Sequence, residues 1–281
     1  MKRFLYLAIA LCALAACKQK PQEVKVLARD VPERSDDFIW ENDYVVYRAY
    51  GKALENELVS PGFDVWVKNT NDLVADQRYK DELENGKTYH KDYGNGKDCY
   101  KVGKTLGGGA SAPLFDTLLA YPSHNFASTE VLESKPDKAV FVLHYPEWEA
   151  NGYKITLDKK ITVEAGQRFC KAEDTYKFTG PADTLDIAAG IVRHDIEEEL
   201  IFPDRVAIWE KASDTSVEPE DGFLGLAVVM PDADYVGLGD GHSMCIKTIH
   251  SGDPVTYYFS SVWSKFDIPT ADDWFDLVEQ F

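Results

Sequence analysis

The sequence lacks the local signatures of several large enzyme classes. It contains no GxSxG elbow, so the nucleophile turn of an α/β-hydrolase is absent. It has no HExxH helix on which a catalytic zinc would sit. Gly103-Lys104-Thr105 ends like a P-loop, but Asp98 occupies the place of the first required glycine, which removes a phosphate cradle of that type. Cysteine is scarce. After Cys12 and Cys17 in the N-terminal segment, only Cys99, Cys170 and Cys245 remain, with no zinc-ligand spacing. An odd number leaves room for one disulfide, whose pair the sequence does not choose. Asp232, Asp234 and Asp240 do not follow EF-hand spacing. No metal and no cofactor is therefore expected. Positive charge is also short: 30 Lys and Arg face 48 Asp and Glu, for a net charge of −18. That balance argues against nucleic acid and anionic membrane surfaces as partners. No internal repeat, coiled coil or low-complexity tract is present.

The longest apolar run is at the N-terminus. Lys2 and Arg3 precede Phe4 to Ala16, the pattern of a secretion signal and too short for a mature membrane span. Leu14-Ala15-Ala16-Cys17 resembles a bacterial lipobox, in which Cys17 is lipidated and becomes the mature N-terminus. Lys18 follows it, and by resemblance to lipoprotein sorting rules the absence of aspartate there favours the outer membrane. The expected organisation is a signal at 1–16, a lipidated tether at 17–31 and one domain at 32–281. The protein is expected at the periplasmic or cell-surface face, touching membrane only through its lipid.

The domain reads as all-β. Tyr153, Ile155, Leu157, Ile161 and Val163 alternate with polar residues through Glu164, and Lys159 alone breaks the apolar face. Period two over twelve residues marks a half-buried antiparallel strand. Arg168 to Phe178 reads as its partner. Phe38–Tyr50, Gly62–Lys68, Ala139–Tyr145, Leu185–Val192, Gly222–Met230, Asp234–Leu238 and Val255–Trp263 add further strands, mostly divided by Gly and Pro turns. Such a succession implies a large antiparallel sandwich or barrel. Thr270 caps a short C-terminal helix whose Ala271, Trp274, Phe275, Val278 and Phe281 form one apolar stripe.

Against this acidic background, Gly86 to Ser111 is basic. Lys87, Lys91, Lys97, Lys101 and Lys104 stand among Tyr89, Tyr93, Tyr100 and His90, with glycines at 94, 96, 103 and 107 to 109. Cations, aromatic rings and a histidine in one glycine-rich loop suit an anionic small ligand. Arg48, His124 in the Tyr121–Phe126 segment, and Trp263 with Lys265 are further candidates for ligand contact. His144 in its strand reads as structural. His194, beside the acidic run 195–199, reads as part of a solvated face.

Glu33–Gly51, Gly62–Thr70, Tyr89–Ser111, Tyr121–Phe126 and Ser264–Trp274 resemble a family of secreted carbohydrate-utilisation proteins catalogued as a domain of unknown function. The resemblance implies a β-sandwich of the galactose-mutarotase type and an anionic oligosaccharide as partner. One branch of that family comprises oligosaccharide dehydratases of ulvan breakdown, which leave a 4,5-unsaturated sugar at a non-reducing-end uronic acid. That reaction needs groups to hold the carboxylate, a base for the C5 proton and an acid for the leaving oxygen. The candidates are Lys101 and Lys104 for the carboxylate, with Lys91 and Arg48 in reserve, His90 as base, Tyr100 as acid, and His124 for either proton role. Trp263 and Lys265 are candidate sugar contacts. The competing readings are a non-catalytic carbohydrate-binding lipoprotein and a mutarotase-like epimerase.

Overall fold

A computed structural model describes residues 22–215, 217 and 221–281. Cys17 and the signal lie outside the described residues. The first sheet is built from β1 (Leu27–Val31), β2 (Asp37–Glu41), β3 (Val46–Ala49), β4 (Phe63–Val67) and β5 (Lys97–Asp98), in that spatial order. β1 falls inside the expected tether. Leu27 to Val31 pair antiparallel with Glu41 to Asp37, so the folded part begins before residue 32. Phe38–Tyr50 is a hairpin rather than one strand. Asn42 Oδ1 accepts the N–H groups of Tyr44 and Val45 and turns the chain there. Between β4 and β5 lies helix α1 (Ala75–Asn85), closed by Gly86 in the left-handed conformation.

The chain continues through β6 (Gly108–Phe115), β7 (Leu118–Leu119), β8 (Ser128–Lys135), β9 (Lys138–Ala150), β10 (Tyr153–Glu164), β11 (Cys170–Thr179) and β12 (Thr184–Val192). It then forms β13 (Ile196–Phe202), β14 (Arg205–Lys211), β15 (Phe223–Val229), β16 (Tyr235–Gly239), β17 (His242–His250) and β18 (Pro254–Trp263). An eight-stranded sheet runs β13-β14-β15-β18-β11-β10-β9-β8, and a second five-stranded sheet runs β16-β17-β12-β6-β7. Every named pairing is antiparallel, as the alternating patterns require. The expected all-β sandwich is thus the observed class.

The inner faces of the three sheets share one core. Trp40, Tyr47, Phe63, Phe141 and Phe259 meet there with ring centroids 5.0–6.5 Å apart where they touch. The glycine run at 107–109 belongs to this packing and not to a ligand loop. Gly107 has φ +59, and a Cβ on it would lie 2.3 Å from the Phe63 carbonyl oxygen. A Cβ on Gly109 would strike Phe259. The outer face of the large sheet is closed by α2 (Ala271–Gln280), whose Ala271, Trp274 and Val278 cover Trp209 and Val262. Thr270 caps it by accepting the Asp273 N–H, as its sequence implies.

Lys159 faces inward with the apolar residues of β10 and is fully buried. Its ammonium donates to Asp174 at 2.6 Å on β11 and to Ser111 Oγ at 2.8 Å on β6 of the facing sheet. Ser111 in turn donates to Asp174, and the Tyr257 hydroxyl donates to the same carboxylate at 3.3 Å. Burial pulls the lysine below its ordinary value, opposed by Asp174. The pair joins two sheets through the core. Lys159→Ala strands a buried carboxylate and is expected to lower unfolding stability by about 3–5 kcal/mol. Lys159→Met combined with Asp174→Leu is expected to cost much less, as read by denaturant unfolding of both variants. Equal losses in the two would contradict this assignment.

Candidate functional site

The outward face of the first sheet carries an unusual buried charge cluster. Asp37 on β2, Arg48 on β3, Asp64 on β4 and Asp98 on β5 all project to this side, opposite the inward Phe38, Tyr47, Phe63 and Val65. Arg48 reaches Asp64 at 2.5 Å, Asp98 at 3.3 Å and Asp37 at 3.9 Å. Trp66, Tyr79 and Tyr89 enclose it, with the guanidinium 5.1 Å from the Trp66 ring centre. Three carboxylates around one guanidinium leave an excess of negative charge. Burial accordingly pushes Asp37 up to about 6, against the pull of Arg48 and Arg34. Burial and Asp64 push Asp98 well above the usual carboxylate range, against the pull of Arg48.

Asp98 begins a four-residue strip, Asp98-Cys99-Tyr100-Lys101, that organises the neighbouring surface. The Asp98 carbonyl lies 3.3 Å from His90 Nδ1. The Cys99 carbonyl accepts the Asp214 N–H at 3.0 Å, and the Lys101 N–H donates to Ser213 Oγ at 2.9 Å. The Lys101 carbonyl lies 2.8 Å from His194 Nε2. His90 Nδ1 is also 3.7 Å from the carboxylates of both Asp98 and Asp214. His194 Nδ1 is 2.8 Å from the buried Glu210. Both ring nitrogens of His194 therefore face oxygen atoms. Three residue steps separate the carbonyls at the ends of the strip, so they stand at most about 11 Å apart.

A cleft of about 610 Å³ opens at the His194 end. Among the described residues it is lined by His194, Lys211, Ser213, Thr215, Asp221 and Phe223, with others. A larger groove, about 660 Å³, crosses the outer face of the eight-stranded sheet. Its Lys138, Lys160 and Lys171 are all paired with Glu164 or Glu173, and it contains no histidine.

The structure divides the residues singled out from the sequence. His90 and Lys101 lie at the strip, with Lys101 exposed. Tyr100 also lies on the strip, but its hydroxyl is buried with no hydrogen-bond partner among the described residues. Its ring packs edge-on against His194, 5.3 Å between centroids, so it supports that histidine and is not placed to protonate a ligand. Arg48 is buried and committed to carboxylates, which removes it from direct ligand contact. Trp263 is buried, donating Nε1–H to the Asp221 carbonyl at 2.6 Å, and Lys265 lies 5.3 Å from its ring centre; neither forms an open sugar platform. Lys91 lies 5.8 Å from the Tyr93 ring, and Lys104 is exposed, with no contact to the strip among the described residues. His124 is exposed, 3.7 Å from Glu55, and no contact joins it to His90 or His194 among the described residues. The basic stretch is thus not one cationic cradle. Lys97 is fully buried, 2.5 Å from Asp221.

Sequence reasoning passed over Asp98, Asp214, Glu210 and His194 as site residues. Glu210 carried a readable signal. It continues the inward phase of Val206 and Ile208 on β14, as Lys159 does on β10. His144 pairs with Asp158 at 2.7 Å on the outer sheet face. Cys99, Cys170 and Cys245 are buried free thiols, and no cluster of ligating side chains suited to a metal occurs among the described residues.

A family profile described as a domain of unknown function, DUF4861, matches residues 14–281. An uncharacterized protein, P7, of Formosa agariphila is 29% identical over 273 residues, covering 90% of this chain. The chain spans 66% of the length of that relative. Among solved structures, a GH36 alpha-galactosidase from Geobacillus stearothermophilus overlays 86% of this chain and 41% of its own, at 7% identity and a TM-score of 0.38.

The charge cluster makes stability depend on pH. Asp37 stands at about 6 in the folded protein against an ordinary value of 3.8. The folded state therefore holds the proton more tightly, and stability falls as pH rises from about 3.8 through about 6. Asp37→Asn is expected to raise unfolding stability at pH above 6 by on the order of 2–3 kcal/mol and to change it little near pH 3. Thermal unfolding across that range measures it, and a variant destabilised at high pH would contradict the assignment.

Proposed function

For a chain that belongs to the DUF4861 family and holds two histidine–carboxylate pairs at the ends of one backbone strip, we propose a carbohydrate-active lipoprotein enzyme. It eliminates water from a non-reducing-end uronic acid of an oligosaccharide and leaves a 4,5-unsaturated sugar. The two histidines at the strip Asp98–Lys101 are the observation that carries this reading. An elimination needs a proton acceptor and a proton donor on one surface.

His90 takes the C5 proton at Nε2, while the Asp98 carbonyl, 3.3 Å from Nδ1, orients the ring. The C5–H electron pair becomes the C4=C5 bond as the C4–O bond breaks. The departing oxygen takes a proton and leaves as water; no oxidant or reductant takes part. His194 supplies that proton. For this the leaving oxygen replaces the Lys101 carbonyl as the partner of Nε2, and Glu210, 2.8 Å from Nδ1, holds the ring. Lys101, exposed at the His194 end of the strip, holds the uronate carboxylate and stabilises the charge that develops on it. The anchor at Cys17 keeps the enzyme at the outer membrane, where released oligosaccharides arrive.

The test is the ultraviolet absorbance of the carbonyl-conjugated C=C. The mature protein is mixed with glucuronate- and iduronate-ended oligosaccharides. A rise is expected, reduced about 10²–10⁴-fold by His90→Ala, the range for losing a general base. A rise indifferent to both His90→Ala and His194→Ala would remove the strip from the chemistry. No rise on any of these sugars, with binding retained, would leave a carbohydrate-binding protein.

A further inference from the structure

We propose that Phe223 forms the floor of a subsite for the sugar next to the one that reacts, so that the ligand is an oligosaccharide and not a free uronic acid. The proposal rests on the strip being the reacting end. Phe223 opens β15 and lines the cleft beside His194 while half-buried. Its ring lies nearly parallel to Trp209, with centroids 5.9 Å apart and planes at 11°. Trp209 is itself buried under Trp274 and Val278 of α2. The Phe223 main chain is fixed as well, its N–H donating to Ser264 Oγ at 2.9 Å. The ring is therefore held rigidly, and its remaining surface is presented to a cleft whose other side chains, Ala212 aside, are polar.

A sugar matches both parts of that lining. Its axial C–H groups make an apolar face, and its hydroxyls form a polar rim. The exposed ring surface of Phe223 receives the first, as aromatic side chains do for other apolar faces. Ser213, Thr215 and Asp195 stand around it with hydroxyls and a carboxylate that exchange hydrogen bonds with the second. Binding sites of about 300–1,000 Å³ hold ligands larger than one monosaccharide, and this cleft is in that range at about 610 Å³. The cations at this end are committed: Lys211 to Glu197 at 2.6 Å and Asp195 at 3.5 Å, Lys97 to Asp221. The grip on this second sugar is accordingly by stacking and hydrogen bonds, and the carboxylate is left to the strip. His194 is the boundary between the two places, since it touches Lys101 of the strip and also lines the cleft.

The experiment compares free glucuronate with glucuronate-ended disaccharide and tetrasaccharide by isothermal titration calorimetry, using reduced-end sugars and the wild type, Phe223→Ala, Phe223→Tyr and His90→Ala. Wild type is expected to gain affinity from monosaccharide to disaccharide. Phe223→Ala is expected to lose about 3–10-fold of that gain, the value of one aromatic contact, and Phe223→Tyr to keep it. Matching thermal unfolding of the variants shows that the loss is local. If Phe223→Ala retains the length dependence, or wild type shows none, the subsite is wrong, whatever His90→Ala does to elimination. If Phe223→Ala loses it and no protein forms the unsaturated product, the subsite stands and the dehydratase reading falls.

Discussion

The guanidinium of Arg48 is the constraint on which the candidate site depends. It lies on β3 and binds carboxylates from β4, β5 and β2, so one side chain ties four adjacent strands on their outer face. β5 is only two residues long and has little ladder of its own. Its place is set by Asp98, which Arg48 holds from below while the Asp98 N–H donates to the Tyr89 carbonyl at 2.8 Å. Asp98 is also the first residue of the strip that carries His90 and leads to His194. The charge cluster is costly in isolation, because it buries more negative than positive charge. Its upward-shifted Asp37 and Asp98 are the sign of that cost.

A second buried pair does comparable work elsewhere. Lys159 and Asp174 fasten the large sheet to β6, whose first residues follow the glycine turn at 107. His242 reinforces that turn. Its Nε2 accepts the Leu106 N–H at 3.1 Å and its Nδ1–H donates to the Asp240 carbonyl, and burial lowers its affinity for a proton. The Arg48 network thus binds the strands of the first sheet, and the Lys159 network binds the other two sheets to each other through the core. The segment from β5 to β6, in which the strip lies, runs between them and is fixed at both ends.

Much of this was legible in the sequence. The alternation over Tyr153–Glu164 gave β10 with its observed limits, and Thr270 with the apolar stripe behind it gave α2. The basic, aromatic stretch pointed to the region of the strip, and His90 was found through it. The misreadings have physical causes. Lysines and glycines in one stretch resemble a ligand loop, yet Lys97 is buried against Asp221 and the glycines at 107 and 109 make room for Phe63 and Phe259. Arg48 looked available because the carboxylates that claim it are distant in sequence. His194 looked solvated beside its acidic run, since its partner Glu210 arrives from the next strand. The general signal that remained unused is a charged residue in the apolar phase of a strand, which both Lys159 and Glu210 display.

The central claim is that the strip Asp98–Lys101, flanked by His90 and His194, receives the reacting sugar. The most direct measurement is a crystal structure of the His90→Ala protein soaked with a glucuronate-ended tetrasaccharide. The account predicts sugar density with its terminal carboxylate at Lys101 and its second ring over Phe223. Density confined to the groove between Lys138 and Lys171 on the outer sheet face, with the strip empty, would contradict it.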